Sequence, residues 1–368
     1  MDSQAAASQN FGPGSNCFEP YAHSSHVSVQ MGSNFMSLLP TLLFLGFLSG
    51  RISAIWAAAS VDPAAGAGLT RCAACREPRS FLRQLLTWYP GIRCKACLTR
   101  DRLWPLAAEL SMALLFAGFG WLLVEARCQS VEDVLPSREL WQNRLPFHLL
   151  FMFLLMTATI TDFLDYVIVD AVVLPGTLIA LVWATVSGEL QMIHVWVQWD
   201  YELVDLYGPY RPEWMKVHQH LHGFIWSLCG LTTGAGLMAI VRSSSRFILG
   251  TPAVGQGDVT LMGMVGAFMG WQPTLCVLAI APLVGIVMGL IGRILSGKSF
   301  VAFGPYLAIA AFVVLCSWRQ LWEVQRLRIV FSHWPTIAAM VGGSFAAFCI
   351  LLFGLKLFRA APIDRLRP

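Results

Sequence analysis

Read only for hydrophobic and polar positions, the chain is a series of long apolar runs separated by short polar breaks. The runs fall at about 36–58, 104–126, 147–161, 171–187, 222–241, 259–272, 274–295, 303–318 and 336–358. Most approach the length of about 20 residues that a helix needs to cross a bilayer. The alternating ten-residue segments of a membrane β-barrel do not recur. The pattern therefore predicts an all-α fold, a polytopic transmembrane helical bundle of about 8–9 spans. The 259–272 run is short for a full crossing, and Pro273 after it suits a kink or a re-entrant turn.

Composition supports this class. Hydrophobic residues make up 56% of the chain and charged residues 12%, about half the share of a soluble domain. Residues 1–35 contain no Lys or Arg and read as a flexible tail rich in Ser, Gly and Asn. With no basic stretch before it, the 36–58 run is expected to stay as a first anchor rather than to be cleaved. The loop that follows carries Arg71, Arg76, Arg79, Arg83, Arg93, Lys95, Arg100 and Arg102 against Glu77 and Asp101. By the positive-inside rule this loop is cytoplasmic and the tail lies outside. Counting onward puts 162–170 and 242–258 inside and the mostly acidic 188–221 outside. The 319–335 stretch counts as outside although it holds Arg319, Arg326 and Arg328.

Within the basic loop, 59–103, Cys72-x-x-Cys75 and Cys94-x-x-Cys97 have the spacing of a zinc ribbon. Four thiolates would close a tetrahedral site and leave no position for substrate, so the expected zinc is structural. A pair of disulfides is the competing reading, and a reducing cytoplasm argues against it. Cys229, Cys276, Cys316 and Cys349 lie in apolar runs and read as small core residues, while Cys17 and Cys128 both count as outside. His218, His220 and His222 alternate next to Trp214 and Trp226, which fits an interfacial segment better than a metal site.

Two polar breaks carry candidate chemistry. Gly255-Gln256-Gly257-Asp258 leads into an apolar helix, and the glycines allow close approach of the backbone there. Asp162, Asp165 and Asp170 crowd the loop between two earlier runs, on the same side as Asp258. Asp170 precedes an apolar run and suits a helix N-cap. An aspartate beside a membrane segment costs free energy and is a functional candidate by default. Two held close together share a proton, so one can activate water while the other polarises a carbonyl. On chemistry alone Asp162 and Asp165 are equal candidates to partner Asp258.

At these residues the sequence resembles the bacterial type IV prepilin peptidases, aspartic peptidases of the GxGD class. Four stretches match in the family's order. The cysteine tetrad is followed by Trp104-Pro105-Leu106-Ala107-Ala108-Glu109-Leu110, similar to the family's YPLVEL. Asp162, Asp170, Leu174 and Pro175 fall on its second motif, and Gly255 to Asp258 with Gly266 to Trp271 on its third. Phe303-Gly304-Pro305-Tyr306-Leu307-Ala308 is the fourth. The resemblance implies that Asp162 and Asp258 are catalytic, with Gly255 and Gly257 in the active-site loop, and gives Asp165 no such role. It implies a peptidase core over 104–318, with 319–368 as an additional span and tail. Val169 and Thr260 stand where the family usually has Pro and Lys.

The function implied is removal of the basic leader peptide of type IV prepilin or type II secretion pseudopilin precursors. The site would face the cytoplasm from a bacterial inner membrane. S-adenosyl-methionine would serve if the new N-terminus is also methylated. The partners expected are those precursors and the lipid bilayer, with no nucleic acid. A scaffold of an assembly machine with a degenerate site and a proton-coupled transporter are the alternatives. No inverted internal repeat favours transport. The charge asymmetry predicts that a cysteine probe near residue 10 reacts from outside intact cells and one near residue 85 does not. The reverse labelling would overturn the sidedness.

Overall fold

The computed structural model describes residues 24–61, 72, 75, 77, 78, 96, 97, 104–131, 134, 140–199, 210, 212–296 and 303–360. The helices are α1 (Ser24–Ser60), α2 (Trp104–Val124), α3 (Leu140–Asp165), α4 (Asp170–Ser187), α5 (Glu213–Val217), α6 (Gln219–Leu249), α7 (Gln256–Met269), α8 (Trp271–Ser296), α9 (Gly304–Arg319), α10 (Leu327–Ser332) and α11 (Trp334–Ala360). One π-helical turn, Gln320–Val324, prolongs α9. Among the described residues there is no strand, and isolated bridges join Val131 to Val134 and Gln198 to Tyr210. Apolar segments with no water to bond must satisfy their backbone internally, which is why each run becomes a helix. Among the described residues eight helices are long and apolar enough to cross a membrane. α1 starts at Ser24, so the last part of the stretch expected as a flexible tail is helical; residues 1–23 lie outside the described residues.

The bundle has two ends. At one lie the C-terminus of α3, the start of α4, the C-terminal part of α6 and the starts of α7 and α9. Gly304 at the start of α9 touches both Asp162 and Ile168 there, and Gly257 touches Ile168. Ala58 of α1 clusters with Ile160 and Leu164 of α3, so the cysteine-bearing loop also leaves from this end. At the far end Trp271 donates from Nε1 to Val195 O (2.7 Å), and the Arg319 amide donates to Cys128 O (2.8 Å). The basic 319–335 stretch packs at this far end. Arg319 pairs with Glu323 at 3.0 Å, and the Arg328 guanidinium stacks 4.3 Å over the Trp199 ring. Local partners thus occupy two of the three arginines that strain the charge rule.

The 14-residue α7 is not among the eight candidate spans. At about 1.5 Å per residue it covers about 21 Å, short of a hydrocarbon layer of about 30 Å. It nevertheless connects the two ends, running from Asp258 to Gly270, which lies against Trp226 at the far end. Every residue from Leu261 to Met269 is buried, so protein surrounds this helix on all sides and its length need not match lipid. The re-entrant turn considered at Pro273 is absent, since α8 begins at Trp271 and takes Pro273 into its first turn.

Close packing of small residues holds α7 in place. A Cβ on Gly230 of α6 would lie 1.9 Å from Gly266 O, and one on Gly234 would lie 2.1 Å from Met262 O. Ser227 Oγ donates to Ala267 O at 2.8 Å across the same seam. This is the small-xxx-small solution of membrane helices, in which backbone contact replaces a hydrophobic driving force. At the far end Phe268 stacks on Phe151 (4.8 Å) and contacts Phe147 (4.7 Å), tying α7 to α3. A Gly230→Ala protein must separate α6 from α7, an overpacking cost of about 1–3 kcal/mol. It should unfold in detergent roughly 2–6 °C below wild type. Gly236→Ala, whose Cβ would meet nothing within 4 Å, should not lose stability. Equal melting of the two variants would contradict the seam.

Candidate active site

Asp162 lies in the last turn of α3, and Asp258 in the first turn of α7. Both are buried, with 6% and 8% exposure, although each sits at the end of a helix. Two glycine amides hold them. Gly304 N–H donates to Asp162 Oδ2 at 2.9 Å, and Gly255 N–H donates to Asp258 Oδ2 at 2.9 Å. Ile168, in the connection from α3 to α4, wedges between the two clamps. It lies 2.7 Å from where a Gly257 Cβ would be and 3.1 Å from a Gly304 Cβ. That connection turns at Tyr166, which has φ 53, and the Tyr166 amide returns to Asp162 O at 3.0 Å. The charged side chains whose fields act on Asp258 are Asp162 and Arg242.

The loop before Gly255 is anchored on α6. Arg242 donates from its guanidinium to Val254 O. Buried Ser245 donates to Arg242 O at 2.9 Å and accepts from the Ala253 amide at 3.0 Å. Neither residue is signalled by any sequence motif, because their partners are backbone groups in a loop of unremarkable composition.

The neighbouring carboxylates differ. Asp165 is half-buried and Asp170 exposed. The expected cap role of Asp170 is corrected: Val169 is the N-cap of α4 and makes no side-chain cap bond. Asp170 occupies the first helical turn, and its Oδ1 accepts from Thr260 Oγ1 at 3.3 Å across to α7. Thr260 Oγ1 also lies 3.0 Å from Gly257 O, so its single hydroxyl proton is shared between an acceptor on α4 and one on its own helix.

Cys72, Cys75 and Cys97 bring their sulfurs within 4.8 Å of one another. Cys72 Sγ and Cys97 Sγ are 3.4 Å apart, too far for a disulfide at about 2.05 Å and compatible with thiolates around one ion. Cys94, the fourth expected ligand, lies outside the described residues. His220 and His222 take ordinary hydrogen bonds. His222 is buried, with Nδ1 beside Gln191 Nε2 (3.3 Å) and Nε2 accepting from the Val195 amide (3.2 Å), and His220 Nδ1 lies 2.9 Å from Thr185 O. Burial pushes the Cys128 thiol up to about 12, which suits an inert core thiol. Sequence reading missed the Arg51–Glu109 ion pair (2.9 Å), buried where α1 meets α2. Its only trace was one charge of each sign in adjacent apolar runs.

Among known proteins no family model matches the chain, and no solved structure matches it. The chain is similar to prepilin leader peptidases. It is 27% identical over 210 residues to "Prepilin leader peptidase/N-methyltransferase" of Aeromonas salmonicida, covering 53% of this chain and 63% of that protein. The protein of the same name from Aeromonas hydrophila is 29% identical over 148 residues, 36% of this chain and 50% of that one. The one from Pseudomonas aeruginosa is 37% identical over 73 residues, 19% and 25% of the two chains. The chain therefore matches less than two thirds of the length of these relatives.

Proposed function

We propose that this chain is a membrane-embedded aspartic endopeptidase that removes the basic leader of prepilin or pseudopilin precursors. The observation that carries this reading is that Asp162 and Asp258 are buried at the same end of the bundle, on either side of Ile168, each with a single oxygen held by a glycine amide. Fixing Oδ2 leaves Oδ1 of each carboxyl for chemistry. One carboxylate takes a proton from water as the water attacks the scissile carbonyl carbon. The other, protonated, donates to the carbonyl oxygen, giving a tetrahedral gem-diol. Collapse of the diol breaks the C–N bond as one carboxyl protonates the leaving amine and the other carboxylate takes a proton from a diol hydroxyl, so one proton again is shared by the pair. An apolar substrate helix would lie among the spans with its basic leader at the site end. Under the positive-inside assignment this end faces the cytoplasm of a bacterial inner membrane.

Single Asp162→Asn and Asp258→Asn substitutions should each reduce prepilin cleavage below detection at normal protein abundance. Asp165→Asn and Asp170→Asn should keep at least partial activity. The measurement is leader removal in membranes, normalised to enzyme level. A dead Asp165→Asn with an active Asp162→Asn would shift the pair by one helical turn. Normal cleavage by all four would leave a scaffold or transporter as the better reading.

The proposal extends to a structural zinc held by Cys72, Cys75, Cys94 and Cys97. It would cross-link the α1–α2 loop and supply no step of the chemistry. Metal analysis should find about one zinc per chain, and Cys72→Ser with Cys97→Ser should remove it. Full retention in that double variant would refute the site. The relatives' shared name also includes N-methyltransferase. For this chain we extend it to methylation of the new N-terminus with S-adenosyl-methionine as donor, and among the described residues we assign that donor no ligands.

A further inference from the structure

We infer that Gly304 is a positioning residue for Asp162, and that the opening Phe303-Gly304-Pro305-Tyr306 of α9 is built to present one amide to that carboxylate. This inference rests on the aspartic reading above and adds a residue to it.

A helix N-terminus has four amides without intrahelical partners. In α9 most are used up locally. Pro305 has no N–H, and the amides of Tyr306 and Leu307 both reach Phe303 O, at 3.0 and 3.3 Å. Gly304 N–H is the one left to point outward, and it points at Asp162 Oδ2. Asp162 needs such a donor more than Asp258 does. It sits at the C-terminal turn of α3, where the helix dipole opposes negative charge, whereas Asp258 sits in the first turn of its own helix, where the dipole favours it. The N-terminus of the 16-residue α9 brings the favourable end of a dipole to Asp162 from outside α3.

Why position 304 lacks a side chain follows from the same contact. A Cβ there would stand 2.6 Å from Asp162 Oδ2 and 3.3 Å from its Cγ. The backbone of α9 could not approach to 2.9 Å with any other residue. No unusual dihedral demands glycine here, since positive-φ glycines among the described residues are confined to Gly188, Gly250 and Gly270. The glycine serves the approach to the carboxylate.

The test is Gly304→Ala in a cleavage assay that separates kcat from KM. A Cβ that displaces Asp162 Oδ2 should lower kcat at least about 100-fold with KM within about twofold of wild type, the cost of a catalytic group misplaced by an ångström. Gly289→Ala on α8, where a Cβ meets nothing within 4 Å, should match wild type. If Gly304→Ala fails to accumulate, Gly304→Ala with Ile168→Val is measured instead. The second change removes the Cδ1 atom that would lie 3.1 Å from the new Cβ and leaves the clash with Asp162 intact. A thermal cycle adds a readout that a helix-forming role would not move: Gly304→Ala should lower the melting temperature of wild type and not that of Asp162→Ala. Additive melting shifts, or normal kcat in Gly304→Ala alongside a dead Asp162→Asn, would overturn the role of Gly304. An active Asp162→Asn would instead overturn the aspartic reading, and this inference with it.

Discussion

Two carboxyl groups buried at one end of a lipid-facing bundle must each find a donor, or the charged form is lost to desolvation. The chain meets this with backbone amides at helix starts, one for each aspartate, and a glycine stands at both donating positions. A side-chain donor would fill space beside the carboxyl. An amide occupies almost none, and the helix behind it fixes its direction. Much of the remaining architecture follows from bringing the starts of α7 and α9 to the end of α3. α7 must begin at the depth of Asp162, and the loop before it must be pinned, which Arg242 and Ser245 do from α6.

Pinning the start of α7 is useful only if the helix cannot slide. Its burial on all sides and the Gly230–Gly266 backbone contact leave it little freedom along its axis. At the far end the aromatic rings take over. Phe268 locks against Phe147 and Phe151, while Trp271 reaches the 188–199 stretch through Val195. α3 and α7 are thus joined near the far end by stacked rings and at the site end by Ile168. The carboxylate geometry is held by contacts at two levels rather than by one loop.

Much of this was legible from sequence. The apolar runs mark each candidate span among the described residues, and the two polar breaks mark the aspartates brought to one end. What stayed hidden has a common physical cause. The crossing of α7 could not be read from length, because the usual length rule assumes lipid around a helix and α7 has protein instead. Arg242 and Ser245 act on main-chain atoms, which carry no sequence signature. Gly304 belonged to a visible motif, yet only the depth of α9 shows which side chain its amide meets. The misplaced cap shows a related limit: an aspartate before an apolar run fits both N-cap and first turn, and Thr260 on another helix accompanies the second outcome here.

The departures from the family pattern can be weighed in the same terms. Val169 and Thr260 lie at the starts of α4 and α7, while the glycines that grip the aspartates match their motifs. With threonine in place of the usual lysine, α7 contributes no cation near Asp258. The cation that does act on Asp258 belongs to Arg242, on the helix packed against α7. Thr260 instead shares its hydroxyl proton between Gly257 O and Asp170, which draws the starts of α4 and α7 together without a charge. The two carboxylate clamps are made by the amides of Gly255 and Gly304 and involve neither Val169 nor Thr260.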